Sequence, residues 1–357
     1  MRGKLDLDQQ PLVLIWEVTQ ACELACKHCR ADAQPRRHPD ELSTAEGKAL
    51  LDQAREFGDG QLVVLSGGDP LARADLPELV DYGTEQGLRM TLTPSGTTSI
   101  TRDRLAGLHD AGLRRLALSI DGGDSESHDS FRGESGSFEA TMRAAEAARD
   151  LDIPLQINTT VCAETVEQLP AVRDLVADLD AVLWSVFFLV PVGRGRVLTP
   201  IDPERAERVL SWLHEVSDAA PFGLKTTEAP HYRRVAIQKQ GEGAGGLERR
   251  MGIRAGKGFA FVSHTGEVYP SGFLPKSAGS VREESVVDIY RESSLFQQLR
   301  DDDALTGKCG ACRYRTVCGG SRSRAYATTG DPLAADPLCA YQPEGFEGPV
   351  PDQHPAD

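Results

Sequence analysis

The chain has 357 residues, of which 40% are hydrophobic and 26% are charged, and this ordinary composition excludes a largely disordered or fibrous protein. At about 150 residues per domain, the length predicts one large domain with an appendage, or two domains. Acidic residues outnumber basic ones by 54 to 39, and the formal net charge of −15 argues against broad binding to nucleic acid or to a membrane surface. No apolar stretch approaches the roughly 18 residues of a spanning helix, and the polar start of the sequence lacks a signal-peptide segment. We therefore expect a cytoplasmic protein with a small or locally recognised partner.

From Leu12 onward, short β-rich runs alternate with amphipathic helical stretches, which is the pattern of a parallel sheet covered by helices. The predicted strands cover residues 12–19, 61–66, 88–94, 113–120, 154–161 and 181–190. The predicted helices cover residues 44–57, 76–86, 102–110, 138–151, 169–179 and 203–217. Six strand–helix units in a row favour an α/β fold with a partial (β/α)6 TIM-like barrel over a flat doubly wound sheet.

The alternation ends near Gly223, and residues 241–258 form a stretch rich in Gly, Glu and Arg that predicts a mobile loop or a boundary. Residues 259–270 predict a hairpin that turns at Thr265 and Gly266, and residues 285–300 predict one amphipathic helix. We expect four parts: a barrel over 1–222, a linker or substrate loop over 223–258, a cysteine-rich module over 259–343 and a polar, frayed tail over 344–357.

The eight cysteines are far from evenly spread. Three lie within eight residues near the start, four lie within 31 residues near the end, and Cys162 stands alone between them. In a reducing compartment, such clusters usually bind metal rather than form disulfides. Cys162 ends an apolar strand, and we interpret it as a small buried hydrophobic residue rather than a catalytic thiol.

The first cluster places Cys22, Cys26 and Cys29 at CxxxCxxC spacing, directly after the first predicted strand. Three thiolates on one short loop can hold three irons of a 4Fe-4S cube, which leaves the fourth iron open for chemistry. The alternatives are a zinc site or three unrelated thiols. Zinc normally takes four ligands, and His28 lies too close to Cys29 to serve easily while His38 is farther away.

These cysteines lie in WEVTQACELACKHC (16–29), and SGGDP (66–70) follows the second predicted strand. With the six strand–helix units and the terminal cysteines, they resemble the radical S-adenosylmethionine (radical SAM) enzymes over nearly the whole chain. The resemblance implies a partial TIM barrel in which the open iron chelates the amino and carboxylate groups of S-adenosylmethionine. It also implies that an electron from the cluster cleaves the sulfonium bond, and that the deoxyadenosyl radical abstracts a substrate hydrogen. A reducing protein such as a flavodoxin or ferredoxin would supply the electron.

The resemblance also implies which residues line the S-adenosylmethionine site. Gly67 and Gly68 allow close approach of a ligand at a strand's carboxyl end, and the implied contact is the methionyl ammonium group, with Asp69 where many relatives have Glu. In SIDGGDSESHDSFRG (119–133), Arg132 is implied to pair with the methionine carboxylate. The other implied contacts, each of which could instead be a helix cap, are Thr93, Ser95, Ser119, Asp121, Asn158 and residues 191–195, which include Val192.

The second cluster has Cys309, Cys312 and Cys318 at Cx2Cx5C spacing, and Cys339 completes four thiols. Four ligands describe a closed site for a structural or electron-transfer cluster, or alternatively a zinc ribbon. This tail resembles the SPASM module, which binds two auxiliary 4Fe-4S clusters. Ser271 and Arg322 stand where that module has further cysteines, so the resemblance implies one auxiliary cluster here.

Residues 225–234 (KTTEAPHYRR) hold substrate-site candidates. Glu228, His231 and Tyr232 could provide axial ligation, proton transfer or a radical relay, and Arg233 and Arg234 could hold carboxylates. A turn with a solvated basic edge is an equally weighted alternative. The same two interpretations apply to two further places, which are His264 and the pair Arg322 and Arg324.

The overall layout most resembles the radical SAM enzymes that remodel propionate side chains of tetrapyrroles in heme pathways. Oxidative decarboxylation to a vinyl group, with the auxiliary cluster as electron acceptor, is the implied reaction on a small-molecule substrate. One alternative is a peptide maturase that forms thioether or carbon–carbon links, although the 21 residues before Cys22 leave no room for the extra N-terminal domain that such enzymes often carry. Another alternative is a non-catalytic metal-binding or redox-sensing protein.

Overall fold

Seven parallel strands form the body of the fold in the computed structural model, which describes residues 6–241 and 252–353. Each strand pairs in parallel with the next along the chain, and the sheet curls into a half-barrel. The strands are β1 (Val13–Thr19), β2 (Leu62–Gly67), β3 (Arg89–Leu92), β4 (Leu116–Ser119), β5 (Leu155–Val161), β6 (Leu183–Phe188) and β7 (Gly223–Thr227). The six predicted strands and the α/β barrel class are confirmed, whereas β7 extends the sheet past the point where the sequence pattern ended.

Seven helices follow these strands. They are α1 (Thr44–Arg55), α2 (Leu76–Glu85), α3 (Arg102–Asp110), α4 (Ser125–Arg132), α5 (Ser137–Asp150), α6 (Leu169–Asp178) and α7 (Pro203–Ala219). The six predicted helices are confirmed to within two residues at each end. Helix α4 escaped prediction because its sequence, SESHDSFR, has a single apolar residue, Phe131; Asp124 caps its start, and Gly133 ends it at a φ of 72°.

The two faces of the sheet differ because side chains alternate along each strand. Leu14, Trp16 and Val18 of β1 are fully buried in the core formed with the helices. The intervening residues, such as Glu17, point to the concave face of the half-barrel. Ligand sites of such barrels lie at the carboxyl ends of the strands, where the first cysteine loop follows β1.

The predicted hairpin near residue 260 is confirmed, but its surroundings were not foreseen. Strand β8 (Arg254–Ala255) leads into β9 (Gly258–Val262), which pairs in parallel with β1 on its free edge, and β10 (Val268–Tyr269) returns antiparallel to β9. The sheet therefore runs continuously across the predicted boundary at residue 258. The division into domains stays a prediction, and residues 242–251 of the expected mobile loop lie outside the described part of the chain, as do 354–357 of the expected tail.

Five more α-helices follow in the described residues: α8 (His231–Gln240), α9 (Val286–Glu292), α10 (Ser294–Arg300), α11 (Gly307–Gly310) and α12 (Arg322–Thr329). Within the described ranges, four short 3-10 helices cover Pro70–Ala72, Val166–Gln168, Gly193–Val197 and Asp302–Ala304. The prediction of one helix over 285–300 is wrong, because the backbone of Ser293 is extended (ψ 130°) and separates α9 from α10. None of the helices described in residues 6–241 and 252–353 is long and apolar enough to cross a membrane.

Candidate active site

The three thiols of the first cluster share one loop after β1. Cys22 and Cys26 are buried, Cys29 is partly exposed, and all three pack with Leu24 and Ala33. The Leu24 N–H points to Cys22 Sγ at 3.3 Å, and the Ala33 N–H points to Cys29 Sγ at 3.5 Å. Backbone donors of this kind stabilise thiolates bound to iron, so the donor set fits the open cluster of the sequence analysis.

Gly67 and Gly68 make room for the chain that enters this loop. A Cβ atom on Gly68 would lie 2.3 Å from the carbonyl oxygen of Ala21, and one on Gly67 would lie 2.3 Å from that of Thr19. Gly67 also has a φ of +149°, which side-chain-bearing residues rarely adopt. Glycine is therefore required at both positions because the backbone of residues 19–21, at the end of β1, passes directly against them. A contact of either glycine with a ligand stays a prediction.

Asp69 links the loop that follows β2 to the loop that follows β3 through hydrogen bonds. Its Oδ1 accepts hydrogen bonds from the N–H groups of Leu71 (3.1 Å) and Ser95 (3.4 Å). Its Oδ2 accepts from the hydroxyls of Thr97 (3.3 Å) and Ser99 (3.2 Å). The side chain is 4% exposed, and burial raises the pKa of its carboxyl group despite these donors. The described contacts of Asp69 are thus structural.

Ser95 connects this loop to the cysteines. Its hydroxyl donates to the carbonyl oxygen of Gly68 at 2.8 Å and lies 3.2 Å from Cys22 Sγ. The structure therefore brings together the glycine segment, Ser95 and the first thiol of the cluster. Thr93 follows β3 directly, and its N–H donates to the carbonyl oxygen of Leu65 at 2.9 Å.

Arg132, at the end of α4, reaches both an aspartate and a cysteine. Its Nε donates to Asp121 Oδ2 at 2.9 Å, and its Nη1 lies 3.8 Å from Cys26 Sγ. Burial alone would raise the pKa of Asp121, but the guanidinium of Arg132 outweighs burial and holds that pKa below its usual value. The other carboxylate oxygen accepts from the Thr160 N–H at 2.7 Å. Pairing of Arg132 with a methionine carboxylate stays a prediction.

His28 stacks on Phe131, with ring centroids 4.6 Å apart, and its Nε2 lies 4.0 Å from Asp121 Oδ2. Burial lowers the pKa of His28 to about 4, so the ring is neutral near pH 7. Stacking on Phe131 fixes the orientation of this ring beside the cysteine loop.

Arg194 lies in the predicted segment 191–195, but the contacts of its side chain with the cysteine loop were not foreseen. Its backbone N–H donates to the Cys29 carbonyl (3.0 Å), and its guanidinium donates to the carbonyl oxygens of Cys26 (3.0 Å) and Ala33 (2.9 Å). Gly193 has a φ of +55°, and a Cβ there would lie 2.6 Å from the Cys29 carbonyl oxygen. Residues 191–195, with buried Val192, therefore lie against the cysteine loop.

Ser119 and Asn158 are register partners on β4 and β5. Both lie on the concave face, since the alternate residues Leu118 and Ile157 are buried in the helix-side core. Asn158 accepts from Gln156 Nε2 at 2.7 Å. A contact of either residue with S-adenosylmethionine stays a prediction.

The four thiols of the second cluster line one common cavity, which His231, Arg234 and Lys308 also line. Backbone N–H groups point to three of the sulfurs: Tyr314 to Cys312 (3.4 Å), Gly320 to Cys318 (3.5 Å) and Asp336 to Cys309 (3.4 Å). No group of three or more His, Cys, Asp and Glu side chains among the described residues is arranged around a single metal ion. Thiols around a 4Fe-4S cube bind different irons, so a shared cavity suits them.

Two buried cations favour an anionic occupant of this cavity. Arg322 is fully buried, and its guanidinium donates to the carbonyl oxygens of Pro332 (3.0 Å) and Ala334 (2.7 Å) and to Cys309 Sγ (3.5 Å). Lys308 is 5% exposed and donates to the carbonyl oxygen of Cys339. Neither cation is paired with a carboxylate within the described ranges, and a buried charge needs compensation. Thiolates around an iron-sulfur cluster would supply it, so these residues fit such a group.

Glu228 and His231 of the 225–234 segment lie beside this second site. Glu228 adopts a φ of +56° and accepts hydrogen bonds from Ser271 (3.0 Å), Ser321 and Ser323 (2.9 Å). His231 is 1% exposed and lies 3.1 Å from Asp336. The alternative of a solvated basic edge is therefore wrong for His231 and Arg234, which are both buried.

The other members of the segment have separate neighbours. Arg234 is buried and pairs with Glu207 at 2.7 Å, and Arg233 donates to the Ile253 carbonyl at 2.7 Å. Tyr232 packs against the main core, 6.3 Å from the ring of His214.

The three remaining residues singled out in the sequence, His264, Arg324 and Cys162, each contact other side chains of the protein. His264 Nδ1 lies 2.6 Å from Glu17 Oε1, and buried Arg324 lies 3.1 Å from Asp336. Cys162 is fully buried with Phe131 in an apolar cluster, and burial raises the pKa of its thiol to about 12. The interpretation of Cys162 as a buried hydrophobic residue is confirmed.

Comparison with known proteins identifies the family. Residues 16–176 match the Radical SAM superfamily. The chain is 42% identical over 341 residues to the AdoMet-dependent heme synthase of Methanosarcina barkeri. That alignment covers 93% of this chain and 97% of the synthase. It is 31% identical over 344 residues to the PqqA peptide cyclase of Rhodopseudomonas palustris, covering 93% and 88%.

The fold is also that of a solved structure, Streptococcus suis SuiB bound to S-adenosylmethionine. The TM-score is 0.73 at 18% identity, and the match covers 93% of this chain and 78% of SuiB. The chain therefore belongs to the radical SAM superfamily, the iron-sulfur enzymes that use a 4Fe-4S cluster and S-adenosylmethionine.

Proposed function

We propose that this enzyme converts propionate side chains of an iron tetrapyrrole into vinyl groups by oxidative decarboxylation. The observation that carries the proposal is the 42% identity to a heme synthase over nearly the full length of both chains. The peptide cyclase is matched over a similar length at only 31%. The chemistry of heme formation thus has the stronger support of the two enzyme classes.

Conversion of each side chain releases one hydrogen atom, one molecule of carbon dioxide and one electron. One hydrogen atom leaves the propionate beside its carboxylated carbon, the bond to the carboxylate carbon breaks, and carbon dioxide is released. The remaining two carbons form the vinyl group, and one electron passes to an acceptor. Each converted side chain therefore consumes one hydrogen-atom acceptor and one electron acceptor.

Cys22, Cys26 and Cys29 would hold the catalytic cluster, which when bound supplies the electron that cleaves S-adenosylmethionine to the radical that takes the hydrogen atom. Arg194 fixes the loop carbonyls, and Arg132 places a positive charge beside Cys26. Gly67 and Gly68 let β1 pass closely enough for the loop to reach this edge of the sheet.

Cys309, Cys312, Cys318 and Cys339 would hold one auxiliary 4Fe-4S cluster, which supplies an acceptor for the electron. The buried cations Arg322 and Lys308 support this assignment, because they favour added negative charge in the cavity. The proposed contacts of S-adenosylmethionine remain Gly67, Gly68, Asp69, Ser95, Ser119, Asp121, Arg132, Asn158 and Val192. The reducing flavodoxin or ferredoxin and the cytoplasmic location also stay predictions.

The test is anaerobic reconstitution with iron and sulfide, followed by dithionite, S-adenosylmethionine and iron-coproporphyrin III. Mass spectrometry should show products that have lost carbon dioxide and two hydrogen atoms per converted propionate. About eight irons per chain are expected, and Cys318→Ala should leave about four and greatly lower turnover. Cys162→Ala is the matched cysteine control and should retain about eight irons and the turnover of the parent enzyme.

Unchanged iron-coproporphyrin alongside efficient formation of deoxyadenosine would contradict the proposal. Modification of a precursor peptide under those conditions would favour the maturase alternative instead. The non-catalytic alternative has no support, since the chain belongs to a family of enzymes.

A further inference from the structure

Two arginines lie on the concave face of the half-barrel, at the opposite ends of the strands from the cysteine loop. Arg89 begins β3, and Met90 and Leu92 of that strand are buried in the helix-side core. Arg115 directly precedes β4, where Leu116 is likewise in the core. Because side chains alternate along a strand, both arginines share the concave face.

Lys225 adds a third positive charge from β7, the strand at one edge of the sheet. Its register partner on β6 is Ser185, which lies between the core residues Trp184 and Val186. Neighbours in register point to the same face of a sheet, so Lys225 also points into the concavity. It lies close enough to Arg115 for the two charges to repel each other.

These three charges lack an acidic partner in the described structure. Glu17 is the one acidic residue in the strands described, and Arg30 (2.8 Å) and His264 (2.6 Å) already bind it. Burial and then the charge of Arg89 lower the pKa of Arg115. Lys225 remains reachable by solvent, yet the surrounding protein and then Arg115 lower its pKa to about 8. Cations that repel each other in a concavity are stabilised by a bound anion.

The position of these cations suits a substrate that spans the concavity. Arg115 lies four residues before Ser119, which is about 13 Å along a strand at roughly 3.3 Å per residue. Ser119 is at the end of the strand next to the cysteine loop. A tetrapyrrole macrocycle carries propionates on opposite parts of its rim, so one can reach the reacting edge while another points to the cations.

We propose that Arg115 and Lys225, with Arg89 at the rim, bind a substrate carboxylate that is not the one being decarboxylated. This inference rests on the proposed function and names the residues that orient its substrate. A guanidinium can bind a carboxylate through two parallel hydrogen bonds, and an ammonium adds a point charge. Such binding would hold the opposite propionate near the strand ends where the chemistry occurs.

The experiment measures the affinity of the reconstituted enzyme for iron-coproporphyrin III from the change in its visible absorption. Arg115→Met and Lys225→Met should each weaken binding about tenfold or more, because each removes a charge-assisted contact. Lys225→Arg should restore most of the affinity. The control is Arg114→Met, which removes an exposed neighbouring arginine and should bind like the parent. Circular dichroism verifies that each variant is folded.

A second ligand isolates the carboxylate. The tetramethyl ester of the same iron porphyrin should bind the parent and both Met variants with equal, weak affinity. Equal affinity of parent and folded variants for the free acid would overturn the inference while leaving the proposed function standing. Failure of the parent to bind iron-coproporphyrin III would instead overturn the proposed function, and this inference with it.

Discussion

Arg322 Nη2 lies 3.5 Å from Cys309 Sγ, and this fully buried guanidinium is bound otherwise by backbone carbonyls. A cation beside a cluster ligand favours the reduced, more negative state. We expect Arg322→Met to lower the reduction potential of the auxiliary cluster, measured by a redox titration followed by electron paramagnetic resonance. Arg322→Lys, which keeps the charge, should lie between the parent and Arg322→Met. An unchanged potential in a fully loaded Arg322→Met enzyme would show that the charge has no such effect.

Arg194 should be needed to hold the first cysteine loop. Its guanidinium makes two hydrogen bonds to loop carbonyls, and losing them should destabilise the loop by about 1–3 kcal/mol. Arg194→Met should therefore lose iron from the first cluster faster when a chelator is added under anaerobic conditions. Arg196→Met is the matched control, because Arg196 is exposed in the same turn. Equal rates of iron loss in the two variants would refute this role.

Gly68→Ala should disrupt the junction between β2 and the cysteine loop. The added Cβ would lie 2.3 Å from the Ala21 carbonyl oxygen, and backbone must move to relieve the clash. We expect a lower melting temperature and incomplete loading of the first cluster. Gly107→Ala is the control, since no atom lies within 4 Å of a Cβ there and alanine should stabilise α3 by about 1 kcal/mol. A Gly68→Ala protein as stable and as well loaded as the parent would contradict the packing described.

His128 should make the fold sensitive to acid. It is fully buried, and burial followed by the charge of Arg132 lowers its pKa from 6.5 to about 4. Between these values the unfolded chain binds the proton more tightly than the folded chain, so stability falls as the pH falls. His128 alone should remove about 2 kcal/mol of the free energy of unfolding between about pH 7.5 and pH 5.

Urea unfolding of the protein at those two pH values measures this effect. His128→Gln should show a smaller loss of stability on acidification, because it lacks the titrating ring. Exposed His109 offers the control substitution His109→Gln, which should behave like the parent. An identical pH dependence in all three proteins would mean that His128 does not titrate as described.

The sequence predicted those parts of the fold and site that depend on local pattern. The six strands carry strong apolar runs, and the spacing of Cys22, Cys26 and Cys29 predicted a metal-binding loop after β1, where the structure places the three thiols together. Strand β7 was missed because GLKTT is short and half polar. The pairing of β9 with β1 joins segments more than 240 residues apart, which no local pattern reveals. Arg194 and Arg322 resemble ordinary surface arginines until the fold brings their carbonyl and thiol acceptors together.

The source of the abstracted hydrogen tests the central claim most directly. The enzyme is incubated anaerobically with dithionite, S-adenosylmethionine and iron-coproporphyrin III whose propionates are fully deuterated. We predict deoxyadenosine that carries one deuterium, formed together with the vinyl product, and neither compound with Cys26→Ala. Deoxyadenosine without deuterium, formed by an enzyme that leaves the porphyrin unchanged, would contradict the account.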